Sequence, residues 1–64
     1  MDTLDMVRCA YECGVVNMDR ATDAVRSFVH DIDAADATLD YALYELEERG
    51  EISYEESGGV YRVL

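Results

Sequence analysis

The side chains of this 64-residue sequence that could carry chemistry are two cysteines, one histidine, fifteen carboxylates and five arginines. Cys9 and Cys13 are four residues apart, a spacing that on a helix places both thiols on one side but aims them poorly for a disulfide. Zinc requires four ligands, and His30 is the only other soft ligand in the chain. We therefore expect no metal site, and we expect both cysteines to be small buried residues in a reducing compartment.

The carboxylates do not follow a catalytic or calcium-binding pattern. With fifteen acids in so short a chain some pair must be close, so proximity alone does not indicate acid–base catalysis. The spacing of Asp31, Asp33 and Asp36 is similar to the start of a calcium-binding loop. However, Asp36 falls where that loop needs glycine, and Ala42 falls where it needs a bidentate glutamate. We expect neither an enzyme nor a bound cofactor.

The charge is strongly one-sided, with a net value of -10 and no lysine. Half of the residues are hydrophobic and recur periodically, which disfavours a disordered acidic tail. The composition resembles that of proteins from extreme halophiles. A high net charge preserves solubility but destabilises the compact state by self-repulsion, and molar salt screens that repulsion because the Debye length falls to about 3 Å. We expect folding to require concentrated salt.

The length allows one domain, residues 1–64. No apolar run approaches the roughly 20 residues that a membrane span needs. The N-terminal segment carries Asp2 and Asp5 rather than the basic residues of a signal peptide. We therefore expect a cytoplasmic protein that does not enter a membrane.

The first helix is expected from about Thr3 to Cys13, capped by Asp2 and ended by Gly14. Its apolar residues cover an arc about twice as wide as a surface helix needs. The residues of this arc are Leu4, Met6, Val7, Cys9, Ala10, Tyr11 and Cys13. Two explanations remain open: one side packs against a second copy through Met6 and the cysteines, or a compact fold encloses the helix on two sides.

The middle of the chain predicts a short strand at Val15-Val16 and a second helix from about Asp19 to His30. Its buried face is expected to comprise Ala21, Ala24, Val25, Phe28 and Val29. His30 falls at the C-terminal end of this helix, where the helix dipole favours a cation. A turn follows in which we expect Ile32 to enter the core and Asp33 to cap a third helix.

The last third predicts a helix that runs directly into a β-hairpin. Leu39, Ala42, Leu43 and Leu46 recur at helical spacing, and Gly50 follows where a left-handed C′ residue is expected. Two short runs, 52–55 and 60–63, flank the turn-forming segment 56–59. The expected fold class is α+β, mainly α, with three helices, a short strand after the first helix and a C-terminal hairpin.

The spacing L-x-x-L-x-x-x-G-x-I, formed by Leu43, Leu46, Gly50 and Ile52, resembles that of winged helix-turn-helix DNA-binding domains. The element order is similar to this family over nearly the whole chain, and the acidic composition makes the resemblance one to domains of haloarchaeal type. The resemblance implies a small DNA-binding protein of transcription-regulator type, adapted to high salt. Its third helix would enter the major groove of double-stranded DNA, and the hairpin, or wing, would touch the adjacent backbone. The DNA-contact residues implied by the resemblance are Arg20, Arg26, Thr38, Tyr41, Tyr44 and Arg62.

The outward face of the third helix departs from that family, because it offers two tyrosines among acids instead of the Arg, Lys, Asn or Gln that read bases. If DNA binds, we expect cations between carboxylate and phosphate, so that affinity rises or stays flat with KCl. The alternative is a protein-interaction module, since Ala34, Ala37, Tyr41 and Tyr44 form a second stripe opposite the core stripe. A homodimer is the expected state, with candidate interface residues Met6, Cys9, Cys13, Ala37, Tyr41 and Tyr44.

Overall fold

Three helices and one four-stranded antiparallel sheet form an α+β domain in the computed structural model, which describes residues 2–64. The elements in chain order are α1 (Thr3–Arg8), β1 (Tyr11–Glu12), β2 (Val15–Val16), α2 (Met18–Phe28), α3 (Ile32–Glu48), β3 (Ile52–Glu55) and β4 (Val60–Val63). The strand order is β1-β2-β4-β3. The three helices and the C-terminal hairpin were predicted from the sequence, whereas β1 was not.

The first helix ends at Arg8, so the prediction that it continues to Cys13 is wrong. Cys9 caps the helix, and the chain then reverses in a hairpin in which Tyr11 pairs with Val16. The two turn residues, Cys13 and Gly14, have φ values of 53° and 80°. Two successive positive φ angles suit the right-handed twist of a two-residue hairpin and are incompatible with a right-handed helix.

Side-chain caps set the starts of α2 and α3. The Asn17 carboxamide oxygen accepts from the Arg20 amide at 3.1 Å, so α2 begins one residue earlier than predicted and ends at Phe28 rather than His30. The Asp31 carboxylate accepts from the Ala34 amide at 3.1 Å. Asp31 is therefore the N-cap of α3, and the prediction of Asp33 as the cap is wrong.

The corner between α2 and α3 exposes two apolar side chains that were predicted from the sequence to be in the core. Phe28 is 62% exposed and Ile32 is 58% exposed. Each lies at the end of its helix next to the corner, where the apolar stripe runs past the buried part of the molecule. Ala35, one turn into α3, is the first buried residue of that helix.

The core consists only of apolar side chains, and no polar or charged residue among 2–64 is buried. Its buried members are Leu4, Met6, Val7, Ala10, Val16, Ala21, Val25, Ala35, Leu39, Ala42, Leu43, Leu46 and Ile52. All four predicted core positions of α3 are among them. Since every charged residue of this part of the chain stays at least partly in contact with solvent, the excess of acids lies entirely on the surface.

A glycine ends α3, as predicted, and directs the chain into β3. Gly50 has φ 76°, its amide donates to the carbonyl of Glu47 at 3.0 Å, and the Glu51 amide donates to the carbonyl of Leu46 at 3.0 Å. These two bonds satisfy carbonyls that the helix end leaves free, and the left-handed conformation that they need suits glycine. Ile52 is thereby placed in the core as the first residue of β3.

The N-terminal hairpin and the C-terminal hairpin join into one sheet. Val15 pairs with Arg62, and the Val63 amide donates to the carbonyl of Gly14 at 2.8 Å. The phenol oxygen of Tyr11, on β1, is buried and has no hydrogen-bond partner within residues 2–64. Burial raises the pKa of the Tyr11 phenol, and the negative charge of Glu51 raises it further.

None of the helices in the described residues is long and apolar enough to cross a membrane.

Candidate contact surface

Helix α3 turns an unburied face, with two tyrosines at its centre, away from the core. Tyr41 is 65% exposed and Tyr44 is 56% exposed, and Ala37 one turn earlier is also exposed. These residues follow a helical spacing of three and four, so their side chains are neighbours on one face. The opposite face is anchored by Leu39, Leu43 and Leu46, which fixes the direction in which the tyrosines point. We call Ala37, Tyr41 and Tyr44 the contact surface.

Carboxylates surround the contact surface. Helix α3 carries six acids and no basic residue between its first and last positions: Asp33, Asp36, Asp40, Glu45, Glu47 and Glu48. Glu47 and Glu48 occupy the last turn, where the helix dipole disfavours negative charge. Helix stability therefore does not explain why these two residues are acidic. The electrostatic potential in front of the tyrosines is negative.

A groove runs beside Tyr41, between α3 and the start of α1. It has a volume of about 320 Å³ and is lined by Asp2, Thr3, Leu4, Thr38, Tyr41, Ala42, Glu45 and Arg49. The Tyr41 phenol lies 3.3 Å from Oε1 of Glu45, to which it donates. The Thr38 hydroxyl donates to the carbonyl of Ala34 at 2.7 Å, one turn back along the helix. Thr38 is half-buried and its donor is already used, so it contributes a methyl group more readily than a hydrogen bond.

Every arginine of the chain forms an ion pair with a carboxylate of the same chain. The three that the family resemblance assigns to DNA phosphates are Arg20, Arg26 and Arg62. Arg20 contacts Glu12 at 2.9 Å, and Arg62 contacts Glu55 on the same hairpin. Nη2 of Arg26, on α2, reaches both carboxylate oxygens of Asp36, on α3, at 3.0 and 3.2 Å. A phosphate group would have to compete with an internal carboxylate at each of these sites.

The remaining two arginines are paired in the same way. Arg8 holds Glu51 through two parallel bonds of 2.9 and 2.5 Å, and it also contacts Asp5 at 2.9 Å. The hydrogen bonds from Arg8 lower the pKa of the Glu51 carboxyl, and those from Arg62 lower the pKa of Glu55. The last one, Arg49, lies at the longer distance of 3.8 Å from Glu45. Nine of the fifteen carboxylates have no arginine partner within residues 2–64.

Two further tyrosines, not singled out from the sequence, lie on the C-terminal hairpin. Tyr54 and Tyr61 are directly paired across β3 and β4, with ring centroids 5.0 Å apart and planes tilted by 59°. Burial raises the pKa of the Tyr61 phenol, and the charges of Glu47 and Asp40 add to it, which places the hairpin beside the acidic flank of α3. The predicted four-residue turn already implied this pairing, since it sets Tyr54 opposite Tyr61.

The predicted interface residues do not form one surface. Met6 is only 5% exposed and lies in the core, so it is not available as contact surface. Cys9 and Cys13 are free and exposed, one at the end of α1 and one in the β1–β2 turn, so the expectation that they are buried is wrong. Within residues 2–64 no three His, Cys, Asp or Glu side chains are grouped so as to hold a metal ion.

Comparison of the chain with protein-family models, with curated proteins and with solved structures finds no match.

Proposed function

We propose that this domain is a winged helix used for protein contacts, and that it docks through the contact surface on α3. The observation that carries the proposal is the contrast between two tyrosine side chains that are more than half exposed and five arginines that each form an ion pair within the chain. Affinity for DNA depends on cations that displace counterions from phosphates. Affinity for protein depends on a few aromatic anchors enclosed by a polar rim, and Tyr41 and Tyr44 among their carboxylates fit that description.

The winged-helix assignment is supported by the order of elements. Helices α2 and α3 are joined by a short turn, α3 ends at a glycine that leads directly into the β3–β4 hairpin, and β2 pairs with that hairpin. This agrees with the arrangement that the sequence resemblance implies. In that arrangement α3 and the hairpin form the exposed binding surface of the domain.

Adaptation to concentrated salt is part of the proposal. The net charge of -10 is carried by surface carboxylates, most of which lack a cation, and a domain of this size has a small core with which to oppose their repulsion. We expect circular dichroism to report loss of helix in dilute neutral buffer and its recovery in molar KCl. An unchanged spectrum after removal of salt would contradict the adaptation.

DNA binding is the second candidate, and the placement of α3 beside the hairpin favours it. It requires Arg26 and Arg62 to leave Asp36 and Glu55, and it requires cations to bridge the carboxylates of α3 to phosphates. A labelled random-sequence duplex titrated at 0.2, 1 and 3 M KCl separates the two candidates. Saturable binding at 1 M or above by folded protein would favour DNA. For the protein-contact function we expect no saturable binding, with light scattering on the same samples to count copies.

The protein-contact function is tested positively by selecting from a random 16-residue peptide library in 3 M KCl. The immobilised wild-type domain is the bait, and the double variant Tyr41→Ser/Tyr44→Ser is used for counter-selection. A matched control is Phe28→Ser, which removes a similarly exposed aromatic ring at the end of α2, outside the contact surface. We expect peptides that bind the wild type and the Phe28 variant but not the tyrosine variant. If no selected peptide depends on the two tyrosines, the proposal is wrong.

A further inference from the structure

We infer that the occupant of the contact surface is a cationic, arginine-bearing segment of another protein, and not a second copy of this chain. The inference rests on the proposed function and adds the chemistry of the partner. It is argued from the distribution of charge around Tyr41 and Tyr44 and from an arginine that already reaches α3 from a neighbouring helix.

Most of the carboxylates on α3 have no arginine partner among the described residues. Helix α3 holds six acids, of which Asp36 and Glu45 have arginine partners within the chain. Asp40, one turn after Asp36, and Glu48, one turn after Tyr44, have no basic partner among the described residues. Acids three or four residues apart on a helix repel each other, and Asp40 and Glu48 are so placed relative to Asp36 and Glu45, which weakens the isolated domain. A partner that supplies cations would relieve that repulsion.

An ion pair within the domain shows how such a cation would bind. Arg26 projects from α2 onto α3 and contacts both oxygens of Asp36. Asp40 follows on the same helix one turn later and is exposed. An arginine from a docked segment would meet Asp40 as Arg26 meets Asp36, and its guanidinium plane could also stack on Tyr41 or Tyr44.

A second copy does not fit the same surface. Each copy has a charge of -10, and all five arginines are already held by carboxylates. Two α3 helices laid against each other would bring carboxylates together around the tyrosines at contact distance, where molar salt screens repulsion least, and no unpaired arginine among residues 2–64 could separate them. The first helix offers no substitute, since Met6 is buried within the domain.

Arginine fits this surface better than lysine. In 1 M salt the Debye length is about 3 Å, so attraction between more distant charges is screened. Only cations in direct contact with a carboxylate or an aromatic ring then contribute to binding. A guanidinium is weakly hydrated, forms paired bonds to a carboxylate and stacks on aromatic faces, whereas an ammonium is a strongly hydrated point charge. The resulting contact would be an aromatic centre flanked by charge-assisted hydrogen bonds.

The test uses one labelled peptide of 18 residues, designed as an amphipathic helix with six arginines around a stripe of leucine and alanine. Its control has citrulline, the neutral analogue of arginine, at the same six positions. Binding to the full domain is followed by fluorescence anisotropy in 1 and 3 M KCl. We expect the arginine peptide to bind at least about tenfold more tightly than the citrulline peptide. We also expect Asp40→Asn/Glu48→Gln to remove most of that difference while circular dichroism stays unchanged.

Several other outcomes would contradict the cationic partner or the contact surface. Equal binding of the two peptides that is lost in Tyr41→Ser/Tyr44→Ser would refute the cationic partner and leave the contact surface standing. Tight arginine binding that survives Asp40→Asn/Glu48→Gln, or absence of binding by both peptides, would also refute the inference. A tyrosine-dependent dimer in light scattering would identify a second copy as the occupant. Binding of the random duplex that requires the tyrosines would contradict both proposals.

Discussion

Replacing Cys13 by asparagine should stabilise the domain. Cys13 is the only non-glycine residue among 2–64 with a positive φ, and at 53° it lies in the left-handed region. That region costs an ordinary residue roughly 1–2 kcal/mol, and asparagine recovers part of the cost because it tolerates left-handed backbone in two-residue hairpin turns. The turn would then read Asn-Gly, since Gly14 follows with φ 80°. We expect the free energy of unfolding to rise by about 0.5–1 kcal/mol.

The assay is thermal unfolding followed by circular dichroism in 3 M KCl under reducing conditions. For a domain of this size the gain corresponds to a rise in Tm of roughly 2–8 °C. Cys9→Asn is the matched control, because it removes an exposed thiol at a position with φ -66° and should leave Tm within the scatter of surface substitutions. Cys13→Val tests the opposite direction, since a β-branched residue fits poorly at positive φ and should lower Tm.

A Cys13→Asn variant that melted at or below the wild-type temperature would contradict this prediction. The prediction would also be refuted if the asparagine and valine variants had the same Tm, because the backbone conformation of residue 13 would then not set the energy. Equal gains from Cys9→Asn and Cys13→Asn would assign the effect to removal of a thiol. The left-handed turn would then not be responsible.

Three other perturbations test different parts of the fold. Tyr11→Phe removes a buried hydroxyl that has no partner within residues 2–64, so chemical denaturation should show stability unchanged or raised by about 1 kcal/mol; a clear loss would indicate an unrecognised bond. Gly50→Ala places a side chain at φ 76° and should destabilise by about 1 kcal/mol, measured in the same way. Arg8 lowers the pKa of Glu51 in the folded state, so the pair stabilises the domain above the unfolded pKa of the carboxyl, near pH 4.3, and this stability is lost as pH falls through the folded value. Between pH 7 and pH 3 in 3 M KCl, the Tm of Glu51→Gln should therefore fall less steeply than the Tm of the wild type. Identical slopes would contradict this role of the ion pair.

The last third of the fold could be predicted from sequence because its signals agree with one another. The leucines of α3 recur at helical spacing, Gly50 marks the helix end, and alternating strand residues flank a glycine-rich turn. Each of these signals acts over a few residues, and none competes with a neighbour. The same region yields the exposed tyrosines, since a face opposite a clear core stripe must point outward.

The first third could not be predicted in the same way. Apolar residues extend from Leu4 to Val16 without a clear period, and Cys13 is an unusual choice for a left-handed turn position. The hairpin there is joined to the rest of the sheet by long-range pairing of β2 with β4, which the local sequence does not report. The arginine pairs were missed for a related reason, because Arg8 and Glu51 are far apart in the chain and meet only after folding.

The sheet has one weak joint, the pairing of β2 with β4, and this joint should affect the rate of amide hydrogen exchange. The two hairpins meet through a single registered pair, Val15 with Arg62, within the described residues. An opening fluctuation there breaks few bonds and leaves the packed helices intact, so it costs much less than global unfolding. The amide of Val63, which crosses the joint to Gly14, should therefore exchange its hydrogen with solvent sooner than the amide of Leu46 in the buried part of α3. The two hairpins would therefore separate first at this joint, while Ile52 keeps the start of β3 packed in the core.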